Sequence, residues 1–188
     1  MRELDGYNRR RDLRRTPEPG GRTRRPRREP RFVIHKHAAS SLHYDLRLEA
    51  GGVLKSWAVP RGPSTDPREK RLAMRTEDHP VSYIDFEGVI PSGRYGAGNV
   101  IVWDTGSYRP LDDEPVEQAV GAGHVKVWLE GRKLRGGYAL TLVGRGRRER
   151  WLLVKMDDEA ADRRCDPVST QPASVLTGRR VEQAADRR

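Results

Sequence analysis

The stretch KHAASSLHYDLRLE, residues 36–49, concentrates side chains that can bind a metal ion and a phosphate group. His37, His43 and Asp45 lie within nine positions, and Arg47 follows two residues later. Two imidazoles and one carboxylate suit a divalent transition metal and leave positions open for water and substrate. A guanidinium beside a bound cation is favourable when an anion lies between them, and phosphate fits its two-pronged geometry. The stretch therefore predicts a metal site for phosphate chemistry, and the alternative is an ordinary solvated strand face.

A β-strand would point these side chains the same way. Side chains alternate along a strand, so the segment LHYDLRLE presents two different faces. The apolar face carries Leu42, Tyr44, Leu46 and Leu48, and the polar face carries His43, Asp45, Arg47 and Glu49. The connection AASS, residues 38–41, can fold back and bring His37 to the polar face as a third ligand.

The rest of the chain has the pattern of an all-β fold. Eight short β-rich segments are separated by turn residues, at 31–36, 42–49, 53–60, 71–77, 99–104, 124–130, 138–144 and 150–156. No long amphipathic helix intervenes, which argues against a parallel sheet with crossover connections. We predict a small antiparallel β-barrel of about eight strands over residues 31–158. A basic N-terminal helix or arm, residues 1–30, precedes it, and a flexible tail or linker, residues 159–188, follows.

The charge is concentrated at the N-terminus. Of a formal net charge of +10 over 188 residues, residues 1–31 contribute +7, from twelve Arg and five acidic residues. Such an arm favours a polyanionic partner such as nucleic acid, although it could also be a solvated tail. A single cysteine excludes an intrachain disulfide and a cysteine zinc site, and no apolar run reaches the ~20 residues of a membrane helix. We therefore expect a soluble cytoplasmic protein without a membrane partner.

A second polar cluster occupies residues 75–98. It contains His79 and Tyr83, followed by a glycine-rich loop that lacks the lysine and serine of a phosphate-binding P-loop. The glycines are therefore expected to serve turns. Proline follows His79, so the backbone there is extended, and its charged neighbours predict an exposed side chain.

Residues 32–108 resemble the 3′-phosphoesterase domain of bacterial DNA ligase D. The similarity lies in the strings H-x5-H-x-D-x-R, E-D-H-P-x2-Y and F-E-G-x-I-P-x-G-x-Y-G-A-G, and it continues over nearly the whole chain. The resemblance implies a small β-barrel enzyme that needs manganese or a similar divalent transition metal. It also implies a phosphodiesterase step that removes a 3′-terminal ribonucleoside from DNA. A phosphomonoesterase step then removes the 3′-phosphate and leaves a 3′-hydroxyl for nonhomologous end joining.

The resemblance implies roles for individual residues of three kinds. The metal ligands it implies are His37, His43 and Asp45. The catalytic residues it implies are Arg47, His79 and Tyr83 at the scissile phosphate, and Arg11, Asp12 and Glu18 for the nucleoside-removing step. The substrate-binding residues it implies are Arg61 and Arg71, although Arg61 stands where lysine is expected. His35 stands where glutamine is common in the family.

The same resemblance implies partners and a location, and two other functions stay open. DNA 3′ ends would be the substrate partner, end-joining ligase, polymerase and Ku proteins the candidate protein partners, and the nucleoid the location. One alternative is a non-haem iron oxygenase that uses the His-x-Asp motif of His43 and Asp45, with His124 as the distal ligand. The other alternative is a DNA-end-binding module without catalytic activity.

Overall fold

The computed structural model describes residues 3–25 and 28–184, and most of its regular structure is β-sheet. The described strands are β1 Arg31–Ala38, β2 Leu42–Ala50, β3 Val53–Val59, β4 Lys70–Arg75, β5 His79–Pro80, β6 Gly88–Ile90, β7 Gly98–Pro110, β8 His124–Gly131, β9 Arg135–Gly144 and β10 Arg150–Lys155. The described helices are short: α1 Asp5–Arg9, α2 Val116–Ala122 and α3 Pro167–Thr170, with 3₁₀ turns at Val81–Tyr83 and Val181–Gln183.

Eight of the strands close into an antiparallel barrel. Neighbours pair in the order β1, β2, β3, β4, β10, β9, β8 and β7, and β7 pairs again with β1. These eight strands correspond to the eight predicted segments, so the predicted small antiparallel barrel is confirmed. The short strands β5 and β6 pair with β3 and β7 outside this ring. Closure leaves the barrel without a free sheet edge, which removes the usual site of strand-to-strand aggregation.

Alternate side chains of the eight strands fill the interior of the barrel. The main buried cluster includes Leu46 and Leu48 from β2 together with large aromatic residues from other strands. Trp57 and Trp151 meet edge to face with ring centroids 5.6 Å apart, an arrangement that adds about 0.5–1.5 kcal/mol beyond simple burial. Because Leu46 and Leu48 point inward, the polar residues that alternate with them lie on the outer wall of the barrel.

A second, smaller apolar cluster covers part of that outer wall. Its buried members are Leu4, Tyr7, Val33, Val53, Leu54, Tyr83, Ile84 and Val102. Tyr7 of α1 is fully buried, and its hydroxyl donates a hydrogen bond to the carbonyl of Pro19 at 2.6 Å. The backbone N–H of Arg24 also donates to the carbonyl of Gly52 at 3.0 Å. The described part of the basic N-terminal arm is therefore folded onto the barrel.

The segment 159–184 also packs against the barrel, which corrects the expectation of a flexible tail. The indole of Trp103 donates to the carbonyl of Gln171 at 2.8 Å, and the N–H of Val175 donates to the carbonyl of Val102 at 3.0 Å. Val181 is buried. These contacts use backbone groups and isolated apolar residues. The sequence therefore shows no periodic pattern of apolar residues that would predict them.

The predicted arm and tail also include residues 1–2, 26–27 and 185–188, which lie outside the described residues. Within the described ranges, no helix is both long and apolar enough to cross a membrane.

Candidate metal and phosphate site

The hairpin of β1 and β2 brings the three predicted metal ligands together. Residues 39–41 connect the two strands, and the resulting antiparallel register places His37 directly opposite His43. Their ring centroids are 4.8 Å apart. The same register places His35 opposite Asp45, so the Asp45 side chain lies next to the histidine pair. The expected fold-back of this connection is observed, and it follows from an antiparallel hairpin with a short turn.

The three side chains turn one ligand atom each toward the same point. Oδ2 of Asp45 lies 3.7 Å from Nδ1 of His37 and 3.6 Å from Nε2 of His43. The three ligand atoms all lie within 4.8 Å of one another. In the described residues this is the one group of three or more such side chains with suitable spacing.

Backbone carbonyls hold both imidazoles in the form that a metal requires. Nε2–H of His37 donates to the carbonyl of Gly96 at 2.9 Å, and Nδ1–H of His43 donates to the carbonyl of Ser41 at 3.0 Å. In the neutral form of each ring, the nitrogen that faces Asp45 is therefore the one without a proton. Outer hydrogen bonds of this kind orient histidine ligands and raise their basicity. The donor set thus fits a divalent transition metal.

The charges of the ligands influence one another. Burial raises the pKa of Asp45, but Arg47 and the two histidines outweigh burial and hold that pKa well below its ordinary value. Burial lowers the pKa of His43, whereas its contact with the Asp45 carboxylate outweighs burial and raises that pKa above its ordinary value. Asp45 is therefore ionised at neutral pH, while a proton competes with a metal ion for His43.

Arg47 lies beside the metal ligands and is buried. Its Nη2 donates to Oδ2 of Asp45 at 3.1 Å, and its Nε donates to Nδ1 of His35 at 3.3 Å. Its Nη1 lies 3.0 Å from Nδ1 of His79, and the ring of Tyr83 lies 5.2 Å from the centre of the guanidinium. The guanidinium is thus fixed on several sides, so it would present a single orientation to an anion in the cleft.

His79 is buried, which corrects the expectation that it is exposed. Strand β5 pairs His79 with Leu54 of β3, and the ring packs edge to face against Tyr83 with centroids 4.9 Å apart. Burial and the nearby guanidinium groups of Arg47 and Arg11 lower its pKa well below the ordinary histidine value. His79 is therefore neutral at neutral pH. Proline at the next position gives the extended backbone that lets this residue join the sheet.

The N-terminal segment adds Arg11 to the site. Arg11 Nε is 2.7 Å from Oε1 of Glu18, its Nη1 is 2.6 Å from Oε1 of Glu77, and its Nη2 is 3.4 Å from Nε2 of His79. Its guanidinium also stacks over the ring of Tyr7 at 3.8 Å. Glu77 belongs to the E-D-H-P string, but no role was predicted for it, because its partners Arg10 and Arg11 are distant along the chain.

The remaining predicted site residues lie at different distances from this cluster. Tyr83 is buried beside His79, and burial raises its pKa well above the ordinary tyrosine value. Asp12 is exposed and pairs with Arg15 at 3.6 Å. Arg61 is exposed next to Pro60, which lines the cleft. Arg71 pairs with Glu69 in a separate depression, so the structure does not bring it to the metal ligands.

A cleft of about 420 Å³ opens over the cluster. Its lining includes the predicted ligands His37, His43 and Asp45, the buried side chains of Arg11, Arg47, His79 and Tyr83, and two residues for which no role was predicted, Tyr95 and Arg148. Its volume falls within the range of about 300–1,000 Å³ for small-ligand sites. His124, the third ligand of the oxygenase alternative, is exposed on β8, contacts Oγ1 of Thr141 at 3.0 Å and is absent from the cleft lining.

The fold and the site together define a β-barrel domain whose cleft contains a candidate metal site of two histidines and one aspartate beside a buried arginine. A protein-family model described as the DNA Ligase D 3'-phosphoesterase domain matches residues 35–142. The chain therefore belongs to the DNA ligase D 3′-phosphoesterase domain family. Membership of this family supports a hydrolase function in DNA end processing.

Curated relatives agree with this assignment. The chain is 50% identical over 183 residues to the "Multifunctional non-homologous end joining protein LigD" of Pseudomonas aeruginosa, covering 94% of this chain and 21% of that protein. It is 43% identical over 162 residues to the "Multifunctional non-homologous end joining DNA repair protein LigD" of Mycobacterium tuberculosis, covering 83% of this chain and 20% of that protein. The chain thus spans about one fifth of the length of these relatives.

Proposed function

We propose that this protein is a manganese-dependent phosphoesterase that heals DNA 3′ ends. It removes a 3′-terminal ribonucleoside in a phosphodiesterase step and then the 3′-phosphate in a phosphomonoesterase step. The product is a 3′-hydroxyl that can be joined. The observation that carries the proposal is the position of Asp45 Oδ2, which faces both imidazole nitrogens and lies 3.1 Å from Arg47 Nη2.

The ligand set supports manganese or a similar divalent transition metal, held by His37, His43 and Asp45. Such an ion supplies Lewis-acid polarisation of a phosphate oxygen and lowers the pKa of a water molecule. The protein contributes the orientation of the ligands, because the backbone carbonyls of Gly96 and Ser41 hold the two imidazoles. Neutral imidazole and ionised carboxylate are the states that this binding requires.

Three further side chains act on the phosphate in this proposal. Arg47 neutralises the charge that develops on the non-bridging oxygens, in a buried position where such contacts are strong. His79 hydrogen-bonds the phosphate as a neutral imidazole, consistent with a pKa that burial and two guanidiniums lower. Tyr83 stays a neutral phenol and packs against His79 and Arg47, which limits their movement.

The N-terminal segment serves the nucleoside-removing step. Arg11 lines the cleft together with His79 and Tyr95, and it forms a buried ion pair with Glu18, which lines an adjoining depression. A carboxylate there can accept a hydrogen bond from the ribose 2′-hydroxyl, the group that distinguishes a ribonucleotide from a deoxyribonucleotide. We assign that contact to Glu18 in preference to the exposed Asp12.

Replacing Arg11 by Gln should separate the two activities. We expect the phosphodiesterase step to fall by roughly a hundredfold, the usual scale for losing one transition-state contact. Removal of the 3′-phosphate should persist, because the metal ligands and Arg47 are untouched. Product analysis on a ribonucleotide-ended and a phosphate-ended primer-template measures each step.

The matched control for this variant is Arg15→Gln. Arg15 belongs to the same segment, has a side chain 69% exposed and pairs with Asp12 outside the cleft. It should leave both steps unchanged. Glu18 and Glu77 lose their partner in the Arg11 variant. A thermal melt therefore measures whether that variant is less stable than the wild type. Equal loss of both steps in a folded Arg11→Gln protein contradicts the assignment.

Activity at limiting manganese should decline as pH falls through the raised pKa of His43. Below that pKa the imidazole is protonated, so each further pH unit weakens apparent metal affinity by about tenfold. Asp45 adds nothing to this acid limb, because its pKa is held well below the ordinary value. A pH–rate profile at two manganese concentrations tests this. Excess manganese should shift the acid side of the pH–rate profile to lower pH. If the profile is the same at both manganese concentrations, histidine ligation is contradicted.

The decisive experiment supplies a primer-template with a 3′-terminal ribonucleotide or a 3′-phosphate, with manganese or with a chelator. We expect shortened products and free phosphate only with manganese. Salt-sensitive DNA binding that ignores the chelator, without any product, would identify an end-binding module. Oxygen consumption coupled to a keto acid, without processing of the DNA, would identify an oxygenase.

The biological setting follows the same proposal. The partners would be DNA ends, together with end-joining ligase, polymerase and Ku proteins. The location would be the cytoplasm, in association with the nucleoid. Co-sedimentation with DNA at different salt concentrations, and pull-down by purified end-joining proteins, would test these assignments.

A further inference from the structure

The three described cations that line the cleft differ in how their charge is balanced. Arg11 is paired with Glu18 and Glu77, and Arg47 is paired with Asp45. Arg148 lines the same cleft and is exposed. No carboxylate in residues 3–25 and 28–184 lies within ion-pair distance of Arg148. Its positive charge is therefore available to a bound anion.

The turn that carries Arg148 is anchored beside the cleft. Residues 145–149 connect β9 to β10, and the carbonyl of Glu149 accepts a hydrogen bond from the N–H of Arg75 at 3.0 Å. The carboxylate of Glu149 binds Arg145 at 3.1 Å and the indole of Trp151 at 3.2 Å. The acidic residue next to Arg148 is thus engaged by other groups, and the turn is held at the end of β4, where Met74 and Thr76 line the cleft.

We infer that Arg148 binds a backbone phosphate of the DNA strand whose 3′ end occupies the cleft. The inference rests on the proposed function, because it assumes that a strand enters. The cleft is too small for a duplex, so the strand must continue along the rim of the cleft. There the guanidinium of Arg148 can meet the backbone phosphates that precede the 3′ end. Arg147 and Arg150 of the same turn region are also exposed. A second basic segment, distant in sequence from the N-terminal arm, therefore holds the substrate.

The contact supplies affinity without taking part in the chemistry. Arg148 lies on a surface turn and makes no contact with Asp45, Arg47 or His79. Phosphate contacts by Arg or Lys position a nucleic acid and weaken as salt rises. Loss of Arg148 should therefore raise KM for a long substrate and leave kcat and the hydrolysis of a very short substrate unchanged.

The test compares Arg148→Ala with Arg135→Ala. The side chain of Arg135 is 69% exposed and pairs with Glu130 outside the cleft. Arg135 is the first residue of β9, whereas Arg148 lies in the turn that follows the last residue of β9. Both variants lose one positive charge, so a general charge effect would appear in both. The assays are manganese-dependent hydrolysis of a 3′-phosphate-ended primer-template and of a nucleoside 3′-monophosphate. DNA binding is measured separately in a chelator at several salt concentrations.

For Arg148→Ala we expect KM on the primer-template to rise about tenfold, with kcat unchanged. The salt slope of DNA binding should fall by about one, and hydrolysis of the mononucleotide should stay as in the wild type. Arg135→Ala should match the wild type in every assay.

Two results overturn the inference. One is wild-type KM and salt slope in Arg148→Ala, and the other is an equal loss on the mononucleotide and the primer-template. If the wild type hydrolyses neither substrate, the proposed function fails instead. The salt slope in the chelator then still decides whether Arg148 contacts the DNA.

Discussion

The Asp45→Ala protein should release neither nucleoside nor phosphate from a DNA 3′ end. The substitution removes one of three metal ligands, and Oδ2 is the atom that both imidazole nitrogens face. Loss of an outer partner of a metal ligand already costs roughly 10–100-fold in affinity or activity, so we expect a larger loss here. Manganese affinity by titration calorimetry and phosphate release from a primer-template should fall together.

Asp45→Asn and Glu49→Gln complete this experiment. Asparagine keeps the shape of Asp45 and removes its charge, so it separates loss of the ligand charge from a packing defect. Glu49 is another buried carboxylate of β2, pairs with Arg31 at 3.6 Å and lies outside the cleft. Its replacement should leave manganese affinity and both activities close to those of the wild type. A folded Asp45→Ala protein with full activity would refute the ligand assignment.

The Arg47→Ala protein should lose its activity in a different way. We expect the rate of both steps to fall by at least about a hundredfold, because the guanidinium would no longer balance charge on the phosphate. Manganese affinity should be retained or increased, because Arg47 donates to the same Oδ2 of Asp45 that the metal needs. Asp45→Ala and Arg47→Ala thus differ in metal affinity although both lack activity.

Arg47→Lys should recover little of the lost rate. A lysine offers one ammonium group, whereas Arg47 directs three nitrogens toward Asp45, His35 and His79. In Arg47→Ala the buried Asp45 keeps only its two histidine neighbours. This should destabilise the protein, and manganese should restore the melting temperature by taking the carboxylate as a ligand. If Arg47→Lys is fully active, orientation of the guanidinium is unimportant. If Arg47→Ala loses manganese binding, the residue has a structural role in the metal site.

The clustering of the three candidate metal ligands was predictable because all three belong to one hairpin. Alternation along β2 places His43, Asp45 and Arg47 on one face, and this depends only on the local geometry of an extended backbone. The short connection then sets the register that brings His37 opposite His43. The eight strands were predictable for the same reason, since each is a local run of β-forming residues between turns.

The burial of His79 could not be predicted in this way. Its charged neighbours indicate exposure, but β5 pairs with β3 and the side chain enters a pocket between Tyr83 and the N-terminal segment. Similarly, residues 159–184 look like a polar tail, and yet their backbone groups bond to Trp103 and Val102 of β7. Contacts of this kind have no period and leave no pattern in the sequence.

Local sequence therefore determined the strands, the triad of candidate ligands and the neighbouring guanidinium, because alternation along a strand fixes the face on which each side chain lies. Tertiary structure decided which distant groups join them. Closure of the barrel and packing of the N-terminal segment bring Arg11 to Glu77 and His79, and the β9–β10 turn brings Arg148 to the cleft. These long-range contacts depend on how whole elements pack. The energy of packing is a sum over many contacts, and no short sequence motif contains that information.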